Sequence, residues 1–112
     1  MLFLNENDIE MYTGRFAAHP ALGPATRFLT RFKDEVNRHS DGWPYWSAPV
    51  RAAAKLMGLI ERGDRVARGV PSYRGFRDAE VTLAEVKAAL VPIKTFMTRR
   101  GTKAGMTLPA LD

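Results

Sequence analysis

Cysteine is absent from this 112-residue chain. Without thiols there is no disulfide framework and no thiolate metal site, a usage consistent with a reducing compartment. Long apolar runs are absent as well, and no stretch approaches the roughly 20 residues needed to cross a bilayer. The start, MLFLNENDIE, has a short apolar patch and no basic segment before it, so it does not read as a signal peptide. A single cytoplasmic domain spanning 1–112, with no membrane partner, is the expectation.

Histidine is scarce, with His19 and His39 alone. The chain holds no phosphate-binding glycine loop, no HExxH pair and no GxSxG elbow. His39-Ser40-Asp41 contains triad residue types, but adjacent residues at a helix end point in different directions, and a triad needs three side chains that converge. His39 is better explained as a cation near the negative end of a helix. No spacing singles out a pair among the twelve acids. These absences point away from an enzyme, and no catalytic residue, metal or cofactor is expected.

Basic charge is what the chain does have. The net charge is +5, unevenly placed. Residues 1–46 hold five Lys/Arg against six Asp/Glu, whereas residues 47–112 hold twelve against six. A basic half attracts nucleic acid, anionic lipid or an acidic protein surface.

The pattern of apolar residues predicts a mainly all-α fold, a compact bundle of about four helices over roughly 7–18, 24–39, 47–62 and 82–99. The organising stretch is Ser47–Arg62, with Ser47 as N-cap and Pro49 in a first turn, where its missing N–H costs little. Gly63 is expected to end it, so that Arg62-Gly63-Asp64 reads as a helix end. Val50, Ala53, Ala54, Leu56, Met57, Leu59 and Ile60 cover well over half the wheel, as in a central helix packed on more than one side. The remaining sector carries Arg51, Lys55, Gly58 and Arg62 in one stripe. That stripe is either a basic strip admitting a partner backbone at Gly58 or an ordinary solvated face.

Asn7-Asp8-Ile9-Glu10 reads as a capping box before a stripe of Ile9, Tyr12 and Phe16. The cluster His19–Pro24 is expected to break that helix. Ala25, Phe28, Leu29, Phe32 and Val36 form a narrow stripe on the second helix, and burying Phe28 and Phe32 would stabilise the fold by roughly 2–3 kcal/mol each. Arg27, Arg31 and Arg38 lie opposite, with Asp34 and Glu35 as ion-pair partners on a solvated face. Thr82 and Glu85 form a second capping box. Leu83, Val86, Leu90, Ile93 and Met97 stay in phase across Pro92, predicting one helix kinked there.

Two stretches suggest binding. Trp43, Tyr45 and Trp46 make either an aromatic platform or a lid over the core. Residues 64–80 read as a long loop or a short β-hairpin, and residues 62–77 carry five arginines against one acid. Arg65, Arg68, Tyr73, Arg74, Phe76 and Arg77 interleave guanidinium forks with rings, chemistry that suits phosphates and exposed bases.

The leading expectation is a small non-enzymatic basic protein contacting nucleic acid or a nucleoprotein complex through this surface. The alternative is a protein-binding inhibitor or adaptor, such as a small phage-type antagonist of a host complex, using the Trp/Tyr cluster and the basic face. A homodimer follows if the apolar arc of the central helix is too wide for its neighbours to cover. The helix–connector–helix of 24–62 invites comparison with a helix-turn-helix, but the connector is longer than the three or four residues that motif uses.

Overall fold

Apolar residues at helical spacing build helices throughout. A computed structural model describes residues 6–38, 48–71, 75, 78–96 and 111, with 36–38 and 96 by backbone alone. Helices α1 (Glu6–Arg15), α2 (Leu22–Arg38), α3 (Ala48–Arg68), α4 (Leu83–Ala89) and α5 (Val91–Phe96) follow in order. There is no strand among the described residues. Nor is any helix there long and apolar enough to cross a membrane.

Helix α3 meets α2, α4 and α5, while α1 packs on α2. The core draws on every helix: Ile9 of α1, Phe28, Leu29 and Phe32 of α2, Leu56 and Ile60 of α3, Val86 of α4 and Ile93 of α5. Phe28 and Phe32 stack with centroids 5.6 Å apart. Leu111 packs against this core from the tail. The described exposed large hydrophobics, Met11, Val70 and Val91, lie on three separate elements. Of the apolar arc of α3, Val50, Ala53, Leu56 and Ile60 are buried, Met57 and Leu59 are partly buried and Ala54 is exposed.

The boundaries depart from expectation in physically instructive ways. Helix α1 already includes Glu6 and Asn7, so Asn7 is inside the helix rather than its cap. The His19–Pro24 cluster does not merely break α1; it begins α2. The N–H of Gly23 donates to the His19 carbonyl at 3.0 Å, an i→i−4 bond. The backbone N–H groups of Ala21 and Leu22 both donate to His19 Nδ1 at 3.0 Å. His19 therefore caps the turn that leads into α2, and Pro20 sits in that turn, where its missing donor costs nothing.

Helix α3 does not end at Gly63. A side chain at residue 63 would meet Leu22 Cδ1 at 2.2 Å, so this glycine is needed because α2 and α3 approach closely there. The helix continues to Arg68 and stops at Gly69, whose φ is +68°. The N–H of Val70 donates to the Arg65 carbonyl at 3.0 Å and that of Gly69 to the Val66 carbonyl at 3.1 Å. These two bonds are a Schellman ending. Residues 64–68, expected in a loop or hairpin, are thus the last turn of α3.

The expected single kinked helix over 82–99 is instead two, α4 and α5, meeting at Leu90. Pro92 has no N–H for the carbonyl of Ala88, and its ring crowds that carbonyl. The Leu90 N–H turns to the Lys87 carbonyl, three residues back, at 3.1 Å. Phase survives nevertheless: Val86, Leu90 and Ile93 are all buried.

Gly58 and Gly63 predict opposite outcomes on one helix. Nothing lies within 4 Å of a side chain at 58. Gly58→Ala is expected to stabilise by about 0.5–1 kcal/mol through helix propensity alone. Gly63→Ala gains the same but overpacks against fully buried Leu22, at a cost of about 1–3 kcal/mol. Its urea midpoint should fall while that of Gly58→Ala rises. A stabilised Gly63→Ala would mean that Leu22 does not sit there.

Candidate functional site

Because α3 runs past Gly63, its arginines emerge in a helical array, and most meet acids. Arg62 donates from Nη2 to Glu85 Oε1 at 2.7 Å and to the Glu80 carbonyl at 3.2 Å. Glu85 is also the distal member of the expected capping box: its N–H donates to Thr82 Oγ1, and the Thr82 N–H donates to Glu85 Oε1, each at 3.2 Å. One carboxylate oxygen thus secures the start of α4 and ties it to α3. Arg65 donates from Nε to Asp78 Oδ2 at 2.7 Å. This hydrogen bond pulls the Asp78 carboxyl below its ordinary value and raises the Arg65 guanidinium.

Asp64 lies between two guanidiniums. Its side chain is 8% exposed and pairs with Arg15 of α1 and, at 3.1 Å, with Arg68 one turn along α3. Arg15 in turn lies over the Tyr12 ring, 5.9 Å from its centroid. Burial first, and then the Asp64 carboxylate, pushes the Tyr12 hydroxyl above its usual range. Asp64 is therefore a fastener between α1 and α3, not a helix-end residue.

Of the stripe on α3, Arg51 and Lys55 are exposed, and neither has an acid partner among the described residues. Ala54 and Gly58, also exposed, flank them with almost no side chain. Arg62 and Arg65 face acids across the fold, and Arg68 keeps 59% of its side chain exposed while paired to Asp64. Trp43, Tyr45, Trp46, Tyr73, Arg74, Phe76 and Arg77 lie outside the described residues.

On the second helix, Glu35, expected on a solvated face beside Arg27 and Arg31, is instead buried. Arg27 is half-buried and its Nη1 donates to the Ala17 carbonyl at 3.4 Å. Lys33 bonds Glu6 at 2.7 Å, joining α2 to the start of α1. A groove of about 450 Å³ is lined by Arg65, Val66, Gly69, Val70, Pro71, Gly75 and Asp78, with the Arg65–Asp78 pair in its wall. Among the described residues, no three of His, Asp or Glu are placed to hold a metal ion.

Sequence reasoning found the exposed pair Arg51 and Lys55 but missed the acids that claim the arginines further along. Their separation hides them: Arg15 is 49 residues from Asp64, and Arg62 is 23 from Glu85. It also missed His19, whose position directly before a proline is the signal that a cap was available.

Comparison with family models, curated proteins and solved structures yields no match to this chain.

The Arg62–Glu85 pair makes a test in acid. The Arg62 hydrogen bond, followed by the backbone N–H of Thr82, holds the Glu85 carboxyl down from 4.5 to about 2. A carboxyl lowered in the folded state stabilises fully above its unfolded value. That contribution disappears as pH falls through the folded one. Glu85→Gln should therefore flatten the loss of stability between pH 4.5 and about 2, read as the urea midpoint at each pH. A variant profile parallel to wild type would exclude the pairing.

Proposed function

We propose that this chain is a small, non-enzymatic, basic binding protein that contacts nucleic acid or a nucleoprotein complex, with Arg51 and Lys55 of α3 at the centre of the contact. The observation that supports this reading is the exposed Arg51–Ala54–Lys55–Gly58 flank. Its two cations lie one helical turn apart, about 6 Å along the axis, and the small residues beside them leave room for a backbone to lie close. Cations held by no acid are the ones free to displace counterions from phosphates.

Arg68 is also exposed on α3 but lies about 100° round the helix from Arg51, and Asp64 offsets part of its charge. Arg62 and Arg65 contribute less than their number suggests, because binding a phosphate would compete with Glu85 and Asp78. Arg74, Arg77, Tyr73 and Phe76, and the aromatic group Trp43, Tyr45 and Trp46, belong to the proposal through their sequence pattern alone.

The test is fluorescence polarisation with labelled DNA and RNA across a salt series. Each phosphate contact contributes about −0.9 to the slope of log K against log salt on duplex DNA. Replacing both Arg51 and Lys55 by alanine should therefore flatten the slope by about 2 and weaken binding to all sequences alike. Arg65→Ala should leave the slope nearly unchanged. Absence of any salt-sensitive binding would overturn the reading, and a partner retained on the protein after nuclease would move it to the protein-binding alternative.

A further inference from the structure

The end of α3 shapes a surface that the cations Arg51 and Lys55 do not explain. The groove there, about 450 Å³, falls within the roughly 300–1,000 Å³ of ligand sites. Val66, Val70 and Pro71 give it an apolar lining, and Gly69 and Gly75 add bare backbone. Val70 is 43% exposed, although it is a large hydrophobic residue. The Schellman ending uses the N–H groups of Gly69 and Val70, and Pro71 has none. Among the described residues, the polar side chains in the wall are those of Arg65 and Asp78.

That pair is neutral as a whole and only partly used. Among the described residues, Arg65 donates through Nε alone and Asp78 accepts through Oδ2 alone, at 2.7 Å. A guanidinium keeps further donors on both Nη atoms, and a carboxylate keeps further lone pairs. Side by side they offer a donor and an acceptor with no net charge. The preceding cation, Arg62, is likewise matched by Glu85. An anion brought to the groove meets attraction from Arg65 and repulsion from Asp78, and a cation meets the reverse. An uncharged group with its own donor and acceptor meets no such opposition. A residue in extended backbone has that form, because its N–H and C=O point to the same side, as in an antiparallel ladder.

We propose that this groove seats an uncharged, apolar stretch of a partner protein in extended form. One residue of the stretch gives its N–H to the Asp78 carboxylate and takes an Nη hydrogen of Arg65 on its carbonyl. The apolar side chains of the stretch cover Val66, Val70 and Pro71. The Arg65–Asp78 bond stays intact, unlike in the exchange that a phosphate requires. This contact is separate from the one at Arg51 and Lys55 and depends on neither residue.

The probe is the capped peptide acetyl-Gly-Ser-Val-Val-Ser-Gly-amide, titrated into the isotopically labelled full chain and followed by NMR. The amide signals of Val66, Gly69, Val70 and Gly75 should shift. The affinity should be the same at about 50 and 200 mM salt, because a neutral ligand displaces no counterions. Val70→Ser, at an exposed position, should weaken binding about tenfold. Methylating both valine nitrogens of the probe removes the donors for Asp78 and should weaken binding about fivefold. Wild type should prefer the capped peptide to one ending in a free carboxylate. Asp78→Asn leaves Arg65 unbalanced and should reverse that preference. Salt-sensitive binding, a wild-type preference for the free carboxylate, shifts unchanged in Val70→Ser, or no shift at several millimolar peptide would each overturn the proposal.

Discussion

Leu22 occupies the space that a side chain at position 63 would need, and the rest of the structure follows from that contact. With no Cβ in the way, α2 packs close against α3, and α3 continues one and a half turns further than its glycine suggests. Glycine is costly inside a helix because it gains least from being ordered there. Here the cost is offset by burying Leu22 completely. The extension places Asp64, Arg65 and Arg68 on a rigid rod, where each meets a fixed partner. Had the helix stopped at Gly63, no such geometry would exist.

That rigidity changes what a count of arginines means. Asp64, Asp78 and Glu85 take up Arg15, Arg62, Arg65 and Arg68, fastening α3 to α1, to the segment before α4 and to α4 itself. The more exposed of these pairs contribute little each to stability. Their larger effect is on availability, because a guanidinium already bonded to a carboxylate must exchange that partner for a phosphate. Under the proposed reading, binding would rest on the exposed start of α3, where Arg51 and Lys55 have no such competition among the described residues. The cations bonded to carboxylates lie near the end of α3, and these exposed, unpaired ones near its start.

Some of this was plain in the order of the residues. The stripes of Phe28, Leu29 and Phe32 and of Val86, Leu90 and Ile93 lie in the core as their spacing predicts, because a helix has one period and water drives one face inward. The Thr82–Glu85 box is present, because both partners are three residues apart and need nothing else. Gly63 and His19-Pro20 were both misleading. Each is compatible with an ending and with a continuation; for Gly63 the deciding neighbour, Leu22, stands 41 positions earlier, whereas for His19 the deciding groups are the nearby N–H groups of Ala21 and Leu22. Pro92 misled in the other direction, since apolar phase carries across a break that the backbone does not.

By itself, then, the sequence determined the helical class, the buried stripes, the local cap of α4 and the exposure of Arg51 and Lys55, all set by interactions spanning a turn or so. Only the tertiary structure decided that α3 runs through Gly63 and which arginines are engaged. Those outcomes depend on close packing and on carboxylates brought in from distant parts of the chain. Local spacing carries no record of such contacts, because they exist only once the helices have met.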